Sequence, residues 1–137
     1  MIAAAKFSLS SSIPTTSPRY TRFLHLLSDH LGLVNDLASY DKELRALECG
    51  ETDDMINLVQ VIKTVTGLQG TDDAKAVAWA LQLQIEREMM AEIERLKQDI
   101  PIHPEEAAFL DACVSAATGN VMFCMTTSRY GGEAARI

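Results

Sequence analysis

Three oxygen-bearing side chains, Asn35, Ser39 and Glu43, recur at intervals of four residues in the stretch VNDLASYDKE. On an α-helix, positions i, i+4 and i+8 share one stripe, so an amide oxygen, a hydroxyl and a carboxylate line up. The set holds neither sulfur nor imidazole and suits a hard cation such as Mg2+ far better than zinc or copper. Mg2+ keeps waters and usually completes its shell with phosphate oxygens, so a phosphorylated ligand is the expected companion. Eight residues of helix rise about 12 Å. One ion is therefore shared only if Glu43 leans back toward the helix start, the direction in which helical side chains tilt. The same three residues also fit a solvated polar face, and the spacing alone leaves that open.

The run Asn35-Asp36-Leu37-Ala38-Ser39-Tyr40-Asp41-Lys42-Glu43 resembles the second metal-binding motif of class I terpene synthases, N-D-x-x-S-x-x-x-E. Its Ser-Tyr-Asp-Lys-Glu portion is similar to the fungal, sesquiterpene cyclase-like branch. Further on, Gly119 to Tyr130, GNVMFCMTTSRY, resembles the family's last core helix, which carries Gly-Asn, usually Trp-Ser, and finally Arg-Tyr. Phe123 and Cys124 stand in place of Trp-Ser. Between the two, Asn57-Leu58-Val59 is similar to the Asn-Leu-Val stretch that follows the metal helix in many of these enzymes.

The resemblance implies one Mg2+ held by Asn35, Ser39 and Glu43, with Lys42, Arg129 and Tyr130 hydrogen-bonding a substrate diphosphate. Such donors suit phosphate oxygens, since Arg offers a planar fork, Lys a point charge and Tyr a neutral hydroxyl. The implied activity is Mg2+-dependent ionisation and cyclisation of a prenyl diphosphate, farnesyl diphosphate above all, with loss of diphosphate. An aromatic face stabilises a cation, so Phe123 is a candidate for the pocket wall as well as for the ordinary core. The family's first, aspartate-rich metal motif has no match in the 34 residues before Asn35. Asp53-Asp54 and Asp72-Asp73 each follow a Thr at an expected helix start, where capping accounts for them. The expectation is thus the C-terminal portion of such a domain, residues 1–137, inactive as a cyclase by itself and prone to self-association through bare apolar faces.

The elements that must position these residues are helical. Residues 1–18 read as a partial helix and loop, with Ser, Thr and Pro concentrated in SLSSSIPTTSP. Residues 19–49 form the metal-motif helix, where Phe23, Leu24, Leu27, Leu31, Val34 and Ala38 keep the helical period and Gly50 ends it. Residues 52–132 hold the remaining helices. Thr52 or Asp53 is the expected N-cap of the first, which Gly67 closes, and Thr71-Asp72-Asp73 starts the second, about six turns bearing Val77, Leu81, Ile85, Met89 and Ile93. After Pro101 and Pro104, Glu105-Glu106 opens a last helix to about Tyr130 with Phe109, Cys113, Ala117, Val121 and Cys124 on its inner face. His25, Asp29 and His30 read as surface neighbours and Trp79 as core or helix packing. No segment alternates with period two, so the class is all-α, a partial class I terpenoid synthase bundle.

Composition bounds the partners. The chain has 137 residues, 12 Lys+Arg and 19 Asp+Glu, a net charge of -7, so it lacks the basic face that nucleic acid requires. No uninterrupted apolar run reaches the roughly 18 residues of a membrane span. Three cysteines match no disulfide or zinc framework, which points to a reduced, cytoplasmic setting. A helical interaction module or degenerate remnant, whose acidic helices dock a partner, is the competing expectation.

Overall fold

Ser17 accepts a hydrogen bond from the Arg19 amide and caps a single 3-10 turn, Pro18–Tyr20, which leads straight into the first long helix. The computed structural model describes residues 17–99 and 101–127, and four α-helices follow one another there: α1 (Thr21–Glu48), α2 (Leu58–Thr66), α3 (Thr71–Asp99) and α4 (Pro104–Thr126). Among the described residues there is no strand, as the missing two-residue alternation requires.

Local chemistry sets the helix ends. Gly50 takes φ +71°, a left-handed conformation that glycine adopts without a Cβ penalty, and its amide bonds Leu47 O. Gly67 ends α2 in the same way. α2 begins later than its cap-forming residues suggest. The N-cap is Asn57, whose Oδ1 accepts from the Val59 amide at 2.9 Å. Thr52 instead donates its hydroxyl to Asp54 O, which commits it to the non-helical linker. At α4, Pro104 occupies the first turn, where its missing N–H costs nothing. His103 and Glu106 form a reciprocal capping box before it.

α3 runs antiparallel to α1 and α4 runs parallel to it. At the start of α1, Tyr20 and Phe23 pack with Met89, Ile93 and Leu96 of α3 and Leu110 of α4. Toward the end of α1, Leu33 and Tyr40 pack with Val59 and Ile62 of α2 and with Ala74 and Ala78 of α3. A third small cluster joins Val34 to Cys124. Each large apolar side chain so buried contributes about 1.5–3 kcal/mol.

The inner face of α3 departs from the expected stripe. Ala74, Ala78, Gln82, Met89, Ile93 and Leu96 are buried, whereas Val77 and Leu81 are exposed. A step of four residues overshoots the 3.6-residue turn by about 40°. Residues spaced by fours therefore drift off the core within a few steps, and the small Ala74 and Ala78 take the face instead, letting α1 approach. α3 is also longer than expected, at 29 residues. Trp79 is half-exposed rather than core. His30 is buried, not a surface neighbour of His25, and its Nε2 lies 3.2 Å from Glu86 Oε1. α4 ends at Thr126, with Thr127 extended, short of the expected Tyr130.

Candidate metal and diphosphate site

α1 carries the stripe, and the contacts of α1 with its neighbours fix which way the stripe faces. Counting from Val34, which faces Cys124, a helix places Lys42 at about 80°, Asn35 at about 100°, Ser39 at about 140° and Glu43 at about 180° round the axis. α2 covers the adjoining sector: Asp36 Oδ2 accepts from the Leu58 amide at 2.8 Å and Tyr40 OH donates to Gln60 Oε1 at 2.9 Å. α3 closes the next sector, where Lys75 Nζ reaches Asp41 at 2.8 Å and lies 5.6 Å from the Tyr40 ring centre. By this count the stripe falls between the sectors of α2 and α4.

The three stripe residues differ in environment. Asn35 is exposed. Ser39 is 3% exposed, and its hydroxyl has no hydrogen-bond partner among the described residues. A buried hydroxyl without a partner loses its hydration with no return, at a cost of about 1–3 kcal/mol. Glu43 is half-buried, with Oε2 accepting from Asn57 Nδ2 at 3.1 Å. The same Nδ2 donates to Asp36 O at 2.9 Å. The two oxygens are therefore no further apart than two hydrogen-bond lengths, about 6 Å. The Asp36 carbonyl points along α1 toward residue 40, so Glu43 leans back toward the helix start.

No three His, Cys, Asp or Glu side chains converge among the described residues. A cation here would rest on amide and hydroxyl oxygens and one carboxylate, a set suited to a hard ion that keeps part of its water. The orphaned Ser39 hydroxyl fits that group, since a metal or its water would supply the missing partner. Lys42 is exposed and without an ion pair among the described residues. Arg129 and Tyr130 lie outside the described residues.

α4 meets α1 at the Val34 and Cys124 cluster. Because α1 and α4 run the same way, rotation in one sense about α1 and the other about α4 leads to the same side of their seam. One side holds a groove of about 580 Å³ lined by Leu37, Asp41, Lys75, Trp79 and Met125. By helical position, Asn35 and Ser39 of α1 and Asn120 and Phe123 of α4 fall on the other side. Phe123 is half-exposed there rather than core. Burial pushes the Cys113 and Cys124 thiols up, so neither is a ready nucleophile.

The family model described as terpene synthase family 2, C-terminal metal binding, matches residues 1–90, about two-thirds of the chain. The chain belongs to this terpene synthase family. Terpene cyclase 6 of Gibberella fujikuroi is 28% identical over 131 residues, 95% of this chain and 35% of that protein. Terpene cyclase aneC of Aspergillus aculeatus is 29% identical over 131 residues, 95% of this chain and 29% of that protein. The chain spans about a third of the length of these curated relatives. Within the segment matched to the terpene synthase family lie Asn35, Ser39, Lys42 and Glu43, and also Asp36 and Asn57. Asp36 is the second residue of the motif and Asn57 opens the Asn-Leu-Val stretch; the structure adds that Asp36 receives the Leu58 amide and that Asn57 bonds Glu43.

Proposed function

We propose that this chain forms the second metal and diphosphate half-site of a terpene synthase that ionises and cyclises a prenyl diphosphate, farnesyl diphosphate being the preferred candidate. The observation that carries the reading is the buried, unpartnered Ser39 hydroxyl, flanked on one stripe by the Asn35 amide and the back-leaning Glu43 carboxylate. Membership of a family described as metal binding supports it. Asn35, Ser39 and Glu43 would hold the ion, with Mg2+ favoured by the all-oxygen set. Bound Mg2+ supplies positive charge that stabilises the departing diphosphate.

The protein's own groups do the rest. Lys42, exposed beside the stripe, offers three N–H donors to diphosphate oxygens. Arg129 and Tyr130 are assigned to the same diphosphate by the Arg-Tyr motif alone. The ring of Phe123, on the same side of the α1–α4 seam, offers a negative face to a developing allylic cation.

The test is calorimetry of Mg2+ with inorganic diphosphate on the chain and on Glu43→Ala. Binding is expected to weaken at least about tenfold in the variant, the scale seen when even an outer-shell partner of a metal ligand is lost. A second reading draws on α4, where Met122, Phe123 and Met125 are exposed: a helical interaction module docks a partner there. Equal binding by the parent and Glu43→Ala would leave only that reading.

A further inference from the structure

Asn57 is 1% exposed and uses every polar atom of its side chain. Oδ1 accepts from the Val59 amide, while the two Nδ2 hydrogens go to Asp36 O and Glu43 Oε2. The orientation of the amide is fixed by this network. Turned over, Oδ1 would face a carbonyl and a carboxylate, and the α2 amide would meet a donor.

Capping α2 does not by itself call for asparagine. Ser, Asp and Asn cap helices about equally well. Only Asn can accept from α2 and also donate two hydrogen bonds backward, because Asp has no donor when ionised and Ser has a single O–H. What singles out Asn at this position is the pair of acceptors on α1. Of those, Asp36 O already belongs to the helical ladder, so Glu43 is the partner whose position depends on it.

We propose that Asn57 is a positioning residue for the metal stripe: it clasps Glu43 Oε2, holds the carboxylate back toward Ser39 and leaves Oε1 free for a cation. Oε1 takes no hydrogen bond among the described residues. This inference rests on the reading of Asn35, Ser39 and Glu43 as a metal site. α2 then serves as a brace, pinned to α1 by the Leu58 amide on Asp36 and by Tyr40 on Gln60. Its rigidity passes to the ligand through one amide group.

The test compares Mg2+-dependent binding of inorganic diphosphate by the chain, Asn57→Ser, Glu43→Gln and the double variant. Asn57→Ser keeps a capping oxygen, so α2 and the melting temperature should change little, while binding weakens about 10- to 100-fold. In the Glu43→Gln background the same change should have no further effect. Undiminished binding by Asn57→Ser, or an equal loss in both backgrounds, overturns the positioning role while leaving the metal site standing. Glu43→Gln binding as tightly as the parent overturns the metal site, and the inference with it. A second readout needs no substitution: the Asn57 side-chain amide resonances should shift when Mg2+ and diphosphate are added together. Resonances that stay fixed while those of Asn35 move would also overturn it.

Discussion

Ser39 is the residue at which stability and the proposed chemistry pull in opposite directions. Its hydroxyl is buried without a partner, a local cost of about 1–3 kcal/mol. Ser39→Ala removes the orphaned group and keeps the small side chain, so the chain is expected to melt at the same temperature or higher. Binding of Mg2+ with diphosphate should at the same time fall about tenfold or more, as for loss of a ligand partner. A thermal melt beside a calorimetric titration checks both, and a destabilised variant with intact binding would mark Ser39 as an ordinary core residue. That Asn35, Ser39 and Glu43 share one stripe of a helix was legible in the sequence, because helix geometry makes i+4 spacing a spatial statement. The partners of Asn57 and His30 were not, since they lie 14 and 56 residues away and neither the Asn-Leu-Val likeness nor local pattern points to them.

At the scale of elements, the starts of α1 and α4 are tied through one carboxylate. Glu106 accepts from Tyr20 OH, pairs with Arg19 at 3.4 Å and caps His103. The Tyr20 hydrogen bond above all holds the Glu106 carboxyl below its usual 4.5, aided by the His103 amide and Arg19, against desolvation. Burial, and then the same carboxylate, pushes Tyr20 up to about 12. A depressed carboxylate stabilises the fold above the unfolded-state pKa, and that contribution is lost as pH falls through the lower folded value. The denaturant midpoint should therefore decline below about pH 4.5 in the parent chain. Glu106→Gln, which still suits the third position of a capping box, should lower the neutral-pH midpoint and flatten that acid limb. A variant with an unchanged acid limb would show that other carboxylates govern it. The proline and the acidic pair announced the start of α4, but its tether to Tyr20 spans 86 residues and was not readable. The start of α2 was misplaced for a related reason. Thr52, Asp53 and Asn57 are all good caps by type, and the choice among them is made by α1, whose Asp36 receives the Leu58 amide.

At the scale of the whole molecule, α4 is the helix that packing uses least, with Met122 58% and Phe123 50% exposed. By length and composition α4 is the one described helix apolar enough to cross a membrane, although polar residues interrupt every apolar run and only 17% of that stretch is buried. Its apolar character thus exceeds what packing on α1 uses. Cyclisation of an allylic cation depends on excluding water, because a desolvated, shaped pocket is what prevents capture of a reactive intermediate. Binding diphosphate asks less: a few donors and a cation at a wetted surface are enough. The two properties should therefore separate in this chain. Incubated with farnesyl diphosphate and Mg2+, it is expected to bind the diphosphate yet yield no cyclic hydrocarbon by gas chromatography, any ionised substrate appearing as linear alcohol. Cyclic hydrocarbon that disappears in Glu43→Ala would mean that the chain closes a dry pocket in solution, with the exposed face of α4 covered by a second copy.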